Sequence, residues 1–568
     1  MSKSKKERSG PRPTPRMDRS RLRSVLASIR DESLQEDVDA TIRRIVREAE
    51  NPGGDLAALS AYDLDPHVSR VAFLFLLRIL KAEVVSPAIA AAAGKSAVPV
   101  LLQALRDPSL PDDRKLALPA LCSLAGCELS RDEASACFKD FEGAMKRSMI
   151  EVTSAHSDQP DGILKFLFGL HLVDVGEDDA APSQEALETG IACCTATRDA
   201  NPSLSASALG VLVAIAAENN FHSDHLDAAL DALAAIRSER ASWCLAELGR
   251  WPALGALGAK ARALAARLAA EGVAPRFNLL AEFSHGSVSA VDGAGMRSLT
   301  LFFRTPEGSL DAALFLLSDD RGVKAVTYLP EEGSGLEEQL RGAPGGLPFA
   351  PCTLDFARDL VADAWAVQEE RGGILPSQLF LVRPHLGSDA IVPRHRTPDL
   401  AAYALEAMAR SQDLARDSLR LLNLPQYGSL YFSSDAAYDF LSGVAPKRGG
   451  RVPRKHLETF AREIAIQERG LLLARMAANL EVESLAGRAD QPLNRLAAST
   501  WLAMSENVVP FHEIPYVSGL CNASVEMITA NLAMGFRTQA EANRAALEMD
   551  DTLGPLADDF FGELDEDN

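Results

Sequence analysis

The chain has 568 residues, of which 47% are apolar and 24% are charged, and this composition predicts a globular protein of two or three domains. Aromatic residues make up only 6% of the chain, which disfavours a β-sandwich and favours close-packed helices. The net charge of −21 disfavours a broad nucleic-acid-binding surface, because an acidic body repels phosphate.

The sequence lacks an uninterrupted apolar run of the length that a membrane span needs, and its first residues lack the apolar core of a secretory signal. We therefore expect a cytoplasmic protein that does not enter a membrane. The eight cysteines are irregularly spaced, which is typical of small core residues in a reducing compartment. We expect neither a metal site nor a cofactor.

The first 20 residues are basic and almost free of apolar side chains, so we predict a disordered tail over 1–20. Residues 1–23 carry nine Lys or Arg against Glu7 and Asp18. Helical periodicity then extends over residues 21–272, which we predict to be one helical repeat domain.

A short pattern recurs four times in this helical region. It consists of an aspartate, six residues that include proline, and then a position early in the next apolar helix, which is a cation in three of the four copies. The aspartates are separated by 44, 51 and 41 residues. The four copies begin at Asp63 (with Arg70), Asp107 (with Arg114), Asp158 (with Lys165) and Asp199 (with Ala206).

The spacing and the order of aspartate and cation resemble the HEAT and armadillo-like repeat family over about residues 50–270. The resemblance implies an α-solenoid of stacked helix pairs, in which a cation reaches an aspartate of its own unit or of the preceding one. An irregular all-α domain with the same helices is the alternative.

Residues 275–395 change to an alternating pattern, which predicts a small α+β domain. Three antiparallel strands are expected between Arg297 and Leu329, a further strand near 276–284, a covering helix over 354–372 and a connecting loop over 333–351. Asp311, Asp319 and Asp320 on this meander would either bond their own backbone or gather around a cation.

Helical patterns return over residues 397–550, which we predict to be a helical C-terminal domain. The expected helices span about 398–422, 434–443, 454–486, 491–505 and 522–550. The last segment, 551–568, is predicted to be a disordered acidic tail, and Phe560 and Phe561 within it form a candidate docking motif.

The chain contains no phosphate-binding loop, dinucleotide fingerprint, nucleophile elbow or two-histidine zinc motif, so no catalytic residue is assigned. Two basic segments stand out against the acidic background and are candidate sites for an anion or an acidic partner. The first contains Lys447, Arg448, Arg451, Arg454 and Lys455, and the second contains Arg383, Arg394 and Arg396.

These observations favour a non-catalytic interaction scaffold or adaptor with a protein partner. One alternative is an enzyme, for example a hydrolase, with its site in residues 275–550. The other is a nucleic-acid-associated factor that uses the basic tail and the 447–455 loop, which the overall charge disfavours. The sequence does not determine the oligomeric state.

Overall fold

The computed structural model describes residues 17–29, 35–150, 158–169 and 184–542, apart from 142, 145, 146, 149, 220, 222, 331–332, 343–346, 388–390, 404–416 and 445–451. Within these residues the chain is mostly helical and has one small antiparallel sheet. Its contacts divide it into two compact units, Met1–Ala155 and His156–Asn568.

The N-terminal unit is built from helices joined by short turns. They are α1 (Arg19–Ser28), α2 (Gln35–Glu48), α3 (Pro52–Tyr62), α4 (Pro66–Leu80), α5 (Pro87–Arg106), α6 (Asp112–Lys115), α7 (Leu118–Leu124) and α8 (Arg131–Ser135).

The first residue that the structure describes is Met17, which lies inside the predicted disordered tail over 1–20. Met17 is buried, and the Asp18 side chain accepts a hydrogen bond from the backbone N–H of Arg21, which caps α1. The apolar anchor and the cap together fix residues 17–20, so the predicted boundary at residue 20 lies too far along the chain.

Helices α3, α4 and α5 pack together at the centre of the N-terminal unit. Gly53 allows α3 to approach α5 closely, because a Cβ at this position would lie 2.1 Å from the carbonyl oxygen of Ala93. Helix α5 is long and apolar enough to cross a membrane by length and composition, and a core helix meets the same criteria. Its residues Ala97, Leu101 and Leu105 lie in the core of this unit.

The C-terminal unit begins with helices and continues into the sheet. The helices are α9 (Pro160–Gly169), α10 (Gln184–Thr197), α11 (Pro202–Glu218), α12 (Ser223–Ile236), α13 (Glu239–Leu248) and α14 (Gly255–Ala270). The strands are β1 (Glu282–Ser289), β2 (Met296–Arg304), β3 (Leu310–Ser318), β4 (Gly322–Leu329) and β5 (Phe349–Cys352), in the spatial order β4-β3-β2-β1-β5.

The predicted meander is confirmed as β2, β3 and β4, and β1 extends it as an antiparallel neighbour of β2. The predicted loop over 333–351 is wrong, because helix α15 (Gly333–Gly342) lies within it and strand β5 begins in it. The predicted covering helix is present as α16 (Leu354–Glu370), which starts after a Thr353 cap and packs on the sheet. Helix α17 (Leu379–Leu386) packs against α11 and β4.

One hydrophobic core joins helices α9–α14 to the sheet and to α16 and α17. Trp243 of α13 and Trp251, which follows α13, both contact Phe380 of α17, with ring centroids 5.3 and 6.3 Å from that of Phe380. The hydrophobic core therefore continues across residue 273, where the sequence pattern changes from helical to alternating.

The remaining helices enclose a second core in the same unit. They are α18 (Pro425–Gly428), α19 (Asp435–Val444), α20 (Arg454–Thr459), α21 (Arg469–Leu485), α22 (Pro492–Ser505) and α23 (Pro515–Ala533), with a π-helical segment over Phe460–Ile464 and 3₁₀ segments over Ala401–Tyr403, Asp417–Asn423, Ala465–Glu468 and Phe511–Glu513.

The predicted helix over 522–550 differs from the structure, because α23 begins at Pro515 and ends at Ala533. Pro515 marks the start of this helix, and a prediction from apolar periodicity alone misses this signal. Within the predicted helix over 398–422, the described residues form two 3₁₀ segments instead. The tail residues Phe560 and Phe561 lie outside the described residues.

Candidate functional site

The repeat positions lie at turns between helices, as the sequence pattern requires. Asp63 and Asp107 follow the last residues of α3 and α5, Asp158 precedes α9, and Asp199 follows α10. Arg114 donates a 2.7 Å hydrogen bond to the backbone carbonyl of Asp63, the aspartate of the preceding copy.

The other repeat positions make different contacts. The Asp63 carboxylate pairs with Arg23 at 2.6 Å, and Asp158 pairs with Arg240 at 3.1 Å. Arg70 and Asp199 are exposed, and the side chain of Lys165 lies outside the described part of the chain. Among the described positions, Asp63 and Asp158 therefore pair with arginines outside the pattern, and Arg114 contacts a backbone carbonyl of the preceding copy.

The second predicted basic segment does not form an anion site. Arg383 lies in helix α17 and not in a loop, and its guanidinium binds Glu247 at 2.6 Å with both side chains fully buried. Arg394 pairs with Asp359, and Arg396 donates to Glu481 at 2.8 Å. Because the chain is rich in acidic residues, these arginines are neutralised by carboxylates of their own unit.

The first basic segment adjoins a cleft in the C-terminal unit. Lys447, Arg448 and Arg451 lie outside the described residues, whereas Arg454 and Lys455 are exposed in the first turn of α20. The cleft, which we call the basic cleft, has a volume of about 660 Å³. Its lining consists of Val452, Arg454, Leu457, Glu458, Ala461, Arg462, His512, Ser518, Cys521 and Asn522.

One wall of the basic cleft is a single stripe of side chains spaced four residues apart. Arg454, Glu458 and Arg462 follow one another along α20 and the π-helical segment, and Arg454 and Glu458 contact each other at 3.3 Å. Phe460 anchors this segment, because it is fully buried and packs 6.0 Å from Phe440, measured between ring centroids.

The opposite wall comes from the 3₁₀ segment Phe511–Glu513 and from α23. Phe511 fixes the short segment by packing against Phe432, and the Ser518 hydroxyl donates to the carbonyl of His512 at 3.1 Å. Burial raises the pKa of the Cys521 thiol to about 12, so this side chain is a neutral, apolar part of the wall.

The basic cleft thus offers two exposed guanidinium groups, one carboxylate and an imidazole around a partly apolar floor. Guanidinium groups bind carboxylates or phosphates through two parallel hydrogen bonds, so the chemistry of this lining suits an anion. The four-residue spacing of Arg454, Glu458 and Arg462 is visible in the sequence. The facing wall lies about 60 residues further along the chain, and local sequence patterns do not reveal it.

The described residues contain no cluster of three or more His, Cys, Asp or Glu side chains placed as metal ligands. Comparison with models of protein families, with curated proteins and with solved structures finds no match to this chain.

Proposed function

We propose that this protein is a non-catalytic interaction scaffold whose basic cleft binds an acidic segment of a partner protein. The observation that carries the proposal is the presence of two exposed arginines, Arg454 and Arg462, on one cleft of a chain with a net charge of −21. In this proposal the N-terminal helices form a HEAT-like α-solenoid that offers a second protein-binding surface.

The contact of Arg114 with the turn at Asp63 supports the solenoid. HEAT-like packing places equivalent turns of successive helix pairs side by side, so a cation of one pair lies close to the turn of the pair before it. Here the guanidinium of Arg114 and the Asp63 carbonyl belong to successive copies of the pattern and are 2.7 Å apart.

An acidic peptide fits the basic cleft better than a nucleic acid does. A nucleic-acid strand would continue past the cleft along an acidic body, where its phosphates are repelled. Among the described lining residues there is also no Phe, Tyr or Trp side chain on which a base could stack. A short peptide with a few carboxylates needs only the two guanidinium groups and the apolar floor.

The test is fluorescence anisotropy of a fluorescein-labelled hexaglutamate peptide titrated with the full chain. Replacing Arg462 by Glu is expected to weaken binding roughly tenfold or more, because it removes a charged hydrogen-bond donor and adds a repulsive carboxylate. Arg495→Glu is the matched control. Arg495 is exposed on α22 outside the lining, and its replacement by Glu changes the net charge by the same amount.

Equal loss of affinity in the Arg462→Glu and Arg495→Glu variants would show a general charge effect and refute the site. A labelled single-stranded oligonucleotide that binds more tightly than the peptide, with a steep salt dependence, would favour the nucleic-acid-associated function instead. Deleting the acidic residues 551–568 tests a competing occupant: if peptide binding tightens, the chain's own tail, with Phe560 and Phe561, competes for the cleft.

A further inference from the structure

An acidic side chain lies on the core-facing side of the sheet. Along β3, alternate residues Ala313, Phe315 and Leu317 point into the hydrophobic core that the sheet shares with the helices. Asp311 occupies the next position of the same face and is only 2% exposed. A carboxylate at a position of this kind is costly to bury, so its presence calls for a specific role.

Asp311 belongs to a polar pair inside this apolar face. Tyr328 of β4 is the neighbour of Ala313 in the sheet register, which brings its phenol close to Asp311. The Tyr328 hydroxyl donates a 2.6 Å hydrogen bond to one oxygen of the Asp311 carboxylate. The two groups are therefore held rigidly by neighbouring strands.

A third polar group, His385 of α17, packs over the same place. Its ring centroid lies 4.2 Å from that of Phe303 and 5.5 Å from that of Tyr328. His385 is 95% buried, and neither of its ring nitrogens has a hydrogen-bond partner in the part of the chain that the structure describes. Burial lowers the pKa of His385 to about 3, so the ring is neutral near pH 7 and offers one donor and one acceptor.

These three groups line a cavity of about 310 Å³, which we call the sheet-end cavity. It lies where β2 ends and β3 begins, beside the turn that contains Thr305 and Ser309, whose hydroxyl groups contact each other at 2.8 Å. The full lining is Gln159, Pro160, Leu280, Ala281, Thr305, Pro306, Glu307, Ser309, Asp311, Tyr328 and His385.

We propose that the sheet-end cavity binds a small organic molecule that is uncharged or cationic and carries a hydroxyl or amino group. The volume is that of a compact ligand pocket. The described lining holds two acidic side chains, Asp311 and Glu307, and no Lys or Arg, and this composition disfavours an anionic ligand. A ligand hydroxyl or amino group that donates to the imidazole satisfies a ring nitrogen of His385 that has no partner among the described residues, and one that donates to Asp311 binds beside it.

The apolar part of the lining defines the rest of the ligand. Pro160, Leu280, Ala281 and Pro306 surround the polar groups, which suits a ligand with a hydrocarbon or aromatic body. The aromatic ring of Tyr328 and the imidazole ring add aromatic contact surface for such a body.

Three probes of similar size and different charge test this proposal: benzylamine, benzyl alcohol and benzoate. Each is titrated into the full chain and followed by ligand-observed saturation-transfer NMR. Benzylamine and benzyl alcohol are expected to bind, and benzoate is expected to bind at least about tenfold more weakly because of the two carboxylates.

Two variants locate the binding. His385→Phe keeps an aromatic ring and removes both nitrogens, so it is expected to fold and to weaken benzyl alcohol binding roughly fivefold or more. Asp311→Asn keeps the size of the side chain and is expected to weaken the binding of benzylamine more than the binding of benzyl alcohol. His456→Phe and the exposed Asp439→Asn make the same changes outside the lining and are expected to leave all three affinities unchanged.

Circular dichroism of each variant confirms that the fold is retained before binding is compared. The proposal is overturned if benzoate binds as tightly as benzylamine, or if His385→Phe binds benzyl alcohol like the unmodified chain. It is also overturned if none of the probes binds at concentrations up to about 20 mM, which is the weakest range expected for molecules of this size.

Discussion

One ion pair from each unit shows how burial changes what such a pair contributes. In the N-terminal unit Arg23 reaches Asp63 at 2.6 Å while its own side chain remains 48% exposed. In the C-terminal unit Arg383 and Glu247 form a pair of the same length in which both side chains are 0% exposed. A half-exposed pair contributes little to stability, whereas a buried pair makes each partner indispensable to the other.

Ion pairs of the C-terminal unit also connect distant parts of its sequence. Arg396 binds Glu481, Arg475 binds Asp319, and Arg240 binds Asp158, at separations of 82 to 156 residues. The side chain of Asn479 on α21 bonds both backbone groups of Val291, with distances of 2.6 and 3.1 Å. Charged and polar side chains therefore fix how the sheet and the C-terminal helices of this unit pack together.

The largest effect is expected from breaking the Arg383–Glu247 pair. Glu247→Gln should lower the free energy of unfolding of the C-terminal unit by about 3–5 kcal/mol, because it leaves a buried guanidinium without its counter-charge. Urea unfolding followed by tryptophan fluorescence measures this unit alone, since all four tryptophans of the chain lie within it.

Two further variants sharpen this result. Replacing both Arg383 and Glu247 by Leu should recover most of the loss, because a lone buried charge is no longer present. Glu463→Gln makes the same change at an exposed position and should cost less than about 0.5 kcal/mol. A loss below about 1 kcal/mol for Glu247→Gln would mean that the buried pair behaves like a surface pair.

A smaller effect is expected in the N-terminal unit. Arg114→Met removes the hydrogen bond to the Asp63 carbonyl and should cost about 1–2 kcal/mol of local stability. Hydrogen exchange of the amides in the turn between α3 and α4 measures this change. Arg106→Met, at an exposed position at the end of α5, is the control, and equal exchange rates in the two variants would contradict a stabilising role for Arg114.

The smallest effect is a dependence on pH at His395. Hydrogen bonds to Glu370 and Asp363 raise the pKa of His395 above its ordinary value of 6.5. The protonated ring therefore stabilises the folded chain; this contribution is complete below about pH 6.5 and is lost as the pH rises through the raised pKa. The side chain is 55% exposed, so the change in stability is small.

Proton NMR of the histidine rings measures the titration of His395 directly. The His395→Gln variant identifies its resonance among those of the ten histidines and should remove the small pH dependence of stability. A midpoint at or below 6.5 would contradict the two carboxylate contacts.

The features that the sequence predicts best are those encoded by neighbouring residues. The alternating pattern predicts β2–β4, and the Thr353 cap marks the start of α16, because both depend on residues close together in the chain. The Gly- and Pro-rich composition of residues 333–351 hides α15 and β5, which neighbouring elements stabilise from outside. Tertiary contacts override local preference in such segments.

The candidate sites follow the same rule. The stripe of Arg454, Glu458 and Arg462 could be predicted from its four-residue spacing, whereas the wall that faces it could not. The position of Asp311 inside the apolar alternation of β3 was visible in the sequence, but the approach of His385 depends on the packing of α17 against the sheet. Arg383 was misassigned because a buried arginine and a solvated one look alike until the distant Glu247 is known.

Because of the π-helical segment Phe460–Ile464, the geometry of the basic cleft depends on the number of residues in this segment as well as on the side chains of the lining. A π-helical turn holds one more residue than an α-helical turn. Deleting a single residue there would restore regular winding and turn the preceding helix by about 100° around its axis, which would carry Arg454 away from the facing wall. An insertion or deletion of one residue could therefore abolish the cleft in a descendant sequence that still contains every lining residue.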